Sequence, residues 1–201
     1  ADYGVNGKWG GLRSTSAFVN KFPDTTEDSR FLFYRDGQEL EITNLGTFTQ
    51  GYAYPKYKNV TSVGDVGSNN GTSAHVDIDF PMFRLADVYL MLAESAYRNG
   101  DQGTALNYIN MLRERAYGNS NNNMSSINLD DILDERSREL AWEGSRRTDL
   151  IRFGKFTSGD YVWPFKGGDV SGIGTSSHLE LYPIPTSDLI LNPNLTQNPG
   201  Y

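Results

Sequence analysis

The feature that most constrains this chain is a change of period at Pro81. Before it, glycines at 4, 7, 10, 11, 37, 46, 51, 64, 67 and 71 interrupt the sequence, and no helical period survives that spacing. After it, Leu85, Val88, Tyr89, Leu92, Ala93 and Ala96 recur at three and four up to Gly100, which predicts an amphipathic helix. Residues 1–80 therefore read as loop-rich sequence with short strands, and 81–201 as a helical region. Phe31 to Tyr34 reads as a strand entering a turn at Arg35-Asp36-Gly37, and the alternation from Glu39 to Thr43 suits an antiparallel return.

A second helix is expected from about Gly103 to Tyr117, with Leu106, Ile109, Asn110 and Leu112-Arg113 in register. Across 82–117, Tyr89, Leu92, Ala93, Ala96, Ala105, Ile109 and Leu112 fall at template places of a tetratricopeptide hairpin, so Ala93 should face Ala105 or its neighbours. A single repeat of that kind cannot bury its own face. It should pack on the next helix or expose a sizeable apolar patch. That next helix is expected to start at Asn128, an N-cap followed by Asp130 and Asp131, and to run to Glu143 before Gly144. A short helix then reaches Phe153, Gly-rich loop continues to Ser177, and Leu179, Leu181 and two prolines form an extended piece. Thr186 or Ser187 should cap one last turn. The fold class is mainly α, a tetratricopeptide-like hairpin plus further helices, with a loop-rich N-terminal third.

Composition narrows the functions. The net charge is −7, from 18 basic and 25 acidic residues, with no Lys/Arg cluster to follow a phosphate backbone, so nucleic acid is not a partner class. Absence of cysteine excludes disulfides, thiol catalysis and thiolate metal sites. No apolar run approaches the roughly 18 residues of a membrane-spanning helix. His75, Asp77 and Asp79 share one face of a potential strand, but only one other histidine, His178, exists, and a solvated strand face is the expected reading. No calcium loop, Gly-x-Ser-x-Gly elbow or Walker A loop occurs. Gly7-Lys8-Trp9-Gly10-Gly11 leads with its lysine and opens no helix, which argues against phosphate cradling. No cofactor and no metal are expected.

Residues 134–152 are densely charged: Asp134, Glu135, Arg136, Arg138, Glu139, Glu143, Arg146, Arg147, Asp149 and Arg152, with Lys155 just beyond. Two of these carboxylates could in principle serve as acid and base. The interspersed Leu140, Ala141, Trp142, Leu150 and Ile151 point instead to a half-buried helix. Its Arg136, Glu139, Glu143 and Arg147 then form structural ion pairs, such as Glu135–Arg138, Glu139–Arg136 and Glu143–Arg147. Trp142 is expected in the core.

Five stretches in order complete the reading: Phe83 to Glu94, Glu135 to Gly144, Arg147 to Arg152, Tyr182-Pro183-Ile184-Pro185, and Gln197-Asn198-Pro199-Gly200-Tyr201. Together they resemble the C-terminal part of the SusD/RagB family, with looser likeness at Trp9 to Gly11, Asp28 to Arg30, and Gly51 to Asn59. The resemblance implies a nutrient-binding lipoprotein of the outer surface of Bacteroidetes cells. Such a protein captures an oligosaccharide or polysaccharide and acts as a lid on a SusC-like TonB-dependent transporter, with no enzymatic step. It also implies a lipid anchor on an N-terminal cysteine that this chain lacks, and hence an N-terminal truncation whose missing part is a partner of this one.

Aromatics in polar loops are the expected ligand contacts, because a flat ring covers the C–H face of a sugar while polar groups bond its hydroxyls. The candidates are Trp9, Arg13, Tyr52, Tyr54 and Trp163, with Trp9 at the centre of an accessible platform in the ligand-facing region 1–80. Two other classes stay open: a glycoside hydrolase or its accessory domain, needing two carboxylates about 5–10 Å apart, and a tetratricopeptide-type protein-interaction scaffold.

Overall fold

The computed structural model describes residues 3–5, 11–67 and 76–201. Trp9 and His75 lie outside these described residues. Helices α1 (Ser16–Val19), α2 (Leu85–Arg98), α3 (Gln102–Tyr117), α4 (Leu129–Glu139), α5 (Arg146–Arg152) and α6 (Thr186–Leu191) follow in chain order. Short 3-10 turns occupy Lys166–Gly168 and Ser177–Glu180. The chain divides into two compact units, residues 1–146 and 147–201.

The expected hairpin is present. Asp101 caps α3 by accepting from the Thr104 backbone N–H at 3.0 Å, and Gly118 ends it in a left-handed conformation (φ 71°) that glycine adopts without Cβ strain. Ala93 on α2 and Ala105 on α3 are fully buried, as are Leu90 and Ile109, and the Tyr89 and Tyr108 rings lie 5.4 Å apart. Small residues on both helices let the axes approach closely. Helix α4 packs against α2 and starts with a reciprocal capping box between Asn128 and Asp131.

The covered face of α2 differs from the expected one. Ala86, Leu90, Ala93 and Glu94 are buried, whereas Leu85 is 60% and Met91 50% exposed, with Val88 and Leu92 also outward. Helix α2 is apolar on two sides, and periodicity does not say which side a neighbour will cover.

Helix α4 ends at Glu139, four residues before the expected Glu143. Its terminal carbonyls are taken by other elements: Arg84 donates to the Glu139 carbonyl at 2.6 Å, and Lys56 to the carbonyls of Glu139 and Ala141 at 3.1 and 2.9 Å. With these orphan acceptors satisfied from outside, no further helical turn is needed. Trp142 then adopts φ 62° and is 45% exposed, which corrects its expected core placement.

The expected strands reduce to isolated bridges among the described residues. Tyr34 pairs antiparallel with Ala53 and Ser14 with Tyr52, while Glu39 pairs parallel with Gln50 rather than returning onto 31–34. The loops are held instead by a compact core of Val19, Phe22, Phe33, Tyr54 and Ala141. Phe18 meets Phe22, Phe33 and Tyr54 edge-on at 5.3–5.6 Å, a favourable arrangement for ring quadrupoles. Side-chain packing does here what a ladder would do in a sheet. In the second unit, α6 begins at Thr186 after Pro185, without the expected hydroxyl cap. Leu179 sits in a 3-10 turn rather than an extended strand.

Candidate functional site

The densest polar constellation surrounds the C-terminal half of α4. Arg30 grips Asp28 as a fork, Nε to Oδ1 and Nη2 to Oδ2, both at 2.8 Å. Its Nη1 donates to Glu135 at 2.5 Å and Glu139 at 3.1 Å. Glu135, fully buried, also receives Arg138 at 2.6 Å and Arg113 at 3.3 Å. Glu139 accepts from Arg84 at 2.6 Å and Arg115 at 2.5 Å, and Glu143 from Arg84 at 2.6 Å and from Lys56.

These pairs join α4 to the N-terminal loops, to the start of α2 and to α3, so the charges act as cross-element ties. Of the expected pairs, Glu135–Arg138 is formed along the helix. Arg136 is buried and reaches Asp87 of α2 at 2.9 Å. Arg147 donates to the carbonyls of Leu179 and Glu180 and lies 4.0 Å above the Tyr182 ring.

The electrostatics bear on any acid–base use of these carboxylates. Burial by itself would raise Glu135, but the charges and hydrogen bonds of Arg138 and Arg30 hold it down at about 2. Burial likewise opposes ionisation of Glu139, and the Arg84 hydrogen bond with the charges of Arg115, Arg30 and Arg84 prevails, keeping it below the ordinary glutamate value. A general acid near neutral pH needs a raised carboxyl pKa. Glu135 and Glu139 are shifted the opposite way.

A cavity of about 300 Å³ opens beside the cluster, lined in part by Tyr54, Lys56, Tyr57, Arg84, Arg115 and Glu143. Burial lowers the Lys56 ammonium, against the opposing pull of Glu143.

The residues expected to contact ligand are dispersed in role. Trp9 falls outside the described residues. Arg13 spends its guanidinium on backbone carbonyls, donating to Thr47 at 2.6 Å, Gln50 at 2.7 Å and Leu45 at 2.8 Å. It thereby shapes the 45–50 loop and lies 5.3 Å from the centre of the Phe48 ring. Gly51, at φ 81°, closes that loop where a Cβ would meet Ile42 at 2.7 Å.

Tyr52 is half-buried against the aromatic core. Tyr54 is buried within it and donates its hydroxyl to the Arg30 carbonyl at 2.9 Å, which corrects its expected place on an open platform. Its neighbours Phe18 and Phe33 claim both the ring and its apolar surface. The sequence reading overlooked Phe48, which is exposed on the loop that Arg13 braces. It also overlooked Arg30, Lys56 and Arg84 as partners of the charged helix. All three lie in the stretches Asp28 to Arg30, Gly51 to Asn59 and Phe83 to Glu94, which carried the family likeness but not the pairing.

In the second unit Trp163 is half-buried beside Phe156 and Tyr161. The Lys166 ammonium lies 4.6 Å from its ring centre and donates to the carbonyls of Lys155, Ser158 and Tyr161. The end of the chain folds back on the Tyr182–Pro185 stretch. Gln197 exchanges two hydrogen bonds with the Ile184 backbone at 2.8 and 2.9 Å, and the Tyr201 hydroxyl donates to Leu181 at 2.8 Å. The two motifs set apart in the sequence are thus one structural piece. Among the described residues, no group of three or more His, Asp or Glu side chains is placed to hold a metal ion, and no helix is long and apolar enough to cross a membrane.

The fold is thus a helical hairpin joined to aromatic-rich loops through a buried ionic cluster, in which Glu135 and Glu139 are held below the ordinary glutamate value. The sequence profile of the SusD family matches residues 5–201, and the chain belongs to that family. It is 38% identical over 178 residues to the starch-binding protein SusD of Bacteroides thetaiotaomicron, covering 87% of this chain and 31% of that protein. A solved SusD superfamily protein from the same organism superposes with a TM-score of 0.63 at 26% identity, over 92% of this chain and 40% of the other. The surface glycan-binding protein A of B. thetaiotaomicron shares the fold, with a TM-score of 0.67 at 22% identity over 98% of this chain and 43% of its own. The chain thus spans less than half the length of these relatives.

Proposed function

We propose that this chain is part of a cell-surface glycan-binding protein that captures an oligosaccharide or polysaccharide for uptake, without converting it. The observation that carries this reading is family membership, together with 38% identity to a starch-binding protein across most of the chain. The proposed setting is the outer membrane, with a lipid anchor on a cysteine outside this chain and a SusC-like TonB-dependent transporter receiving the glycan. The depressed carboxyls of Glu135 and Glu139 favour binding over hydrolysis.

The exposed side of α2, with Leu85, Val88, Met91 and Leu92, is the proposed seat of the remaining part of a longer protein, since the relatives extend well beyond the matched length. Residues 1–80 are the proposed ligand-facing region. Within it Trp9 is the proposed stacking ring, and Arg13 acts through the loop it braces. Trp163 is a second proposed contact, in the other unit.

Calorimetry against a panel of neutral and acidic polysaccharides, with a parallel assay for new reducing ends, tests the reading. Binding without reducing ends is expected. Trp9→Ala should weaken binding roughly five- to tenfold, about 1 kcal/mol, with an unchanged thermal transition. Release of reducing ends would overturn the binding-only reading, and unchanged affinity would remove Trp9 from the site.

A further inference from the structure

The cavity beside α4 has a charge and donor inventory that the ion pairs do not use up. The network sets six cations (Arg30, Lys56, Arg84, Arg113, Arg115 and Arg138) against the four carboxylates of Asp28, Glu135, Glu139 and Glu143. This local excess of two positive charges stands in a chain whose net charge is −7. Five of the six cations line the cavity, and only Arg113 does not. An excess of that sign, held in a concave and partly desolvated site, attracts anions more strongly than the same charges spread over a surface.

Two buried donors on residues lining the cavity also lack an acceptor among the described residues. Among the described residues the Tyr57 hydroxyl and the Arg138 Nε–H make no hydrogen bond, although Arg138 is only 6% exposed and uses its two terminal nitrogens on the Lys21 carbonyl and Glu135. A buried donor left unmatched bears its full desolvation penalty. The arrangement therefore favours a ligand that brings several acceptor oxygens. Access is provided by Arg115, whose side chain is 54% exposed and donates to Glu139 through Nη2.

We propose that this cavity binds the compact oxyanion of an acidic saccharide, a carboxylate or sulfate group, with Arg115 and Tyr57 as direct contacts. The saccharide part rests on the glycan-binding reading above; the oxyanion site itself does not. Charge-assisted pairs from guanidinium to carboxylate or sulfate are the strong class of hydrogen bond, and a neutral sugar offers no such partner.

The test is calorimetry of the intact chain at low ionic strength with sodium sulfate, glucuronate, glucose 6-sulfate and glucose. Sulfate and at least one acidic sugar should bind and glucose should not. Arg115→Gln should weaken both by about tenfold or more, and Tyr57→Phe by several-fold. Arg115 is exposed and Tyr57→Phe removes a hydroxyl that has no partner among the described residues, so both variants should fold, with melting curves as the control. Absence of sulfate binding, or binding that Arg115→Gln leaves unchanged, overturns the site. Sulfate binding with neither acidic sugar bound overturns the saccharide assignment. A neutral polysaccharide that binds while all four probes fail leaves the glycan reading standing and removes this proposal alone.

Discussion

Helices α2 and α4 reverse the usual distribution of side chains, and in opposite senses. Helix α4 buries Glu135, Arg136, Ser137, Arg138 and Glu139, while α2 exposes Leu85, Val88, Met91 and Leu92. The charges of α4 are tolerated inside because each has a partner on another element: Arg30 from the loops, Arg84 ahead of α2, Arg113 and Arg115 from α3. The outer side of α2 has no such arrangement. Buried ion pairs of this kind fix which elements meet, since a misplaced partner would leave a bare charge indoors. An uncovered apolar stripe fixes nothing by itself. It marks a surface that a further partner would close.

The comparison can be broken most directly at Glu135. Glu135→Gln leaves the Arg113 and Arg138 guanidiniums without their carboxylate and should cost roughly 3–5 kcal/mol in urea unfolding. A loss under about 1 kcal/mol would mean that solvent or other groups replace the tie. Acid should produce an effect of similar origin. The folded Glu135 carboxyl is held at about 2, below its ordinary value, so its contribution is present above about 4.5 and is lost as pH falls towards 2. By linkage this amounts to roughly 3 kcal/mol, read as a drop in the unfolding midpoint across that window. Glu135→Gln should flatten that slope.

Ala93→Leu sharpens the contrast between the two sides of α2. The site is sealed against α3, so overpacking should cost about 1–3 kcal/mol. The smallest effect is expected one step around the helix. Leu85→Lys with Met91→Lys should change stability by no more than about 0.5 kcal/mol for either residue. The same double variant should reduce binding of an apolar fluorescent dye. A larger destabilisation would show that this side is covered in solution.

Much of this fold was legible before any coordinates. The apolar recurrence from Leu85 to Ala96, the pairing of small Ala93 with Ala105 and the Asn128 cap are local signals, each confined to a few turns of helix. Local sequence therefore determined where α2 and α3 run, where α4 begins and that the whole is mainly helical. The absence of cysteine likewise settled that no disulfide holds the loops.

Tertiary structure decided the rest. Arg30 meets Glu135 and Glu139 across separations of 105 and 109 residues, and Lys56 and Arg84 cap the carbonyls that end α4. No period or spacing encodes such a meeting, because it depends on where the loops carry the side chain in space. The same holds for Tyr54, drawn into the aromatic core, and for Phe48, left exposed on a loop braced by Arg13. Periodicity reports that a face is apolar, and only the packed neighbours determine whether that face is covered.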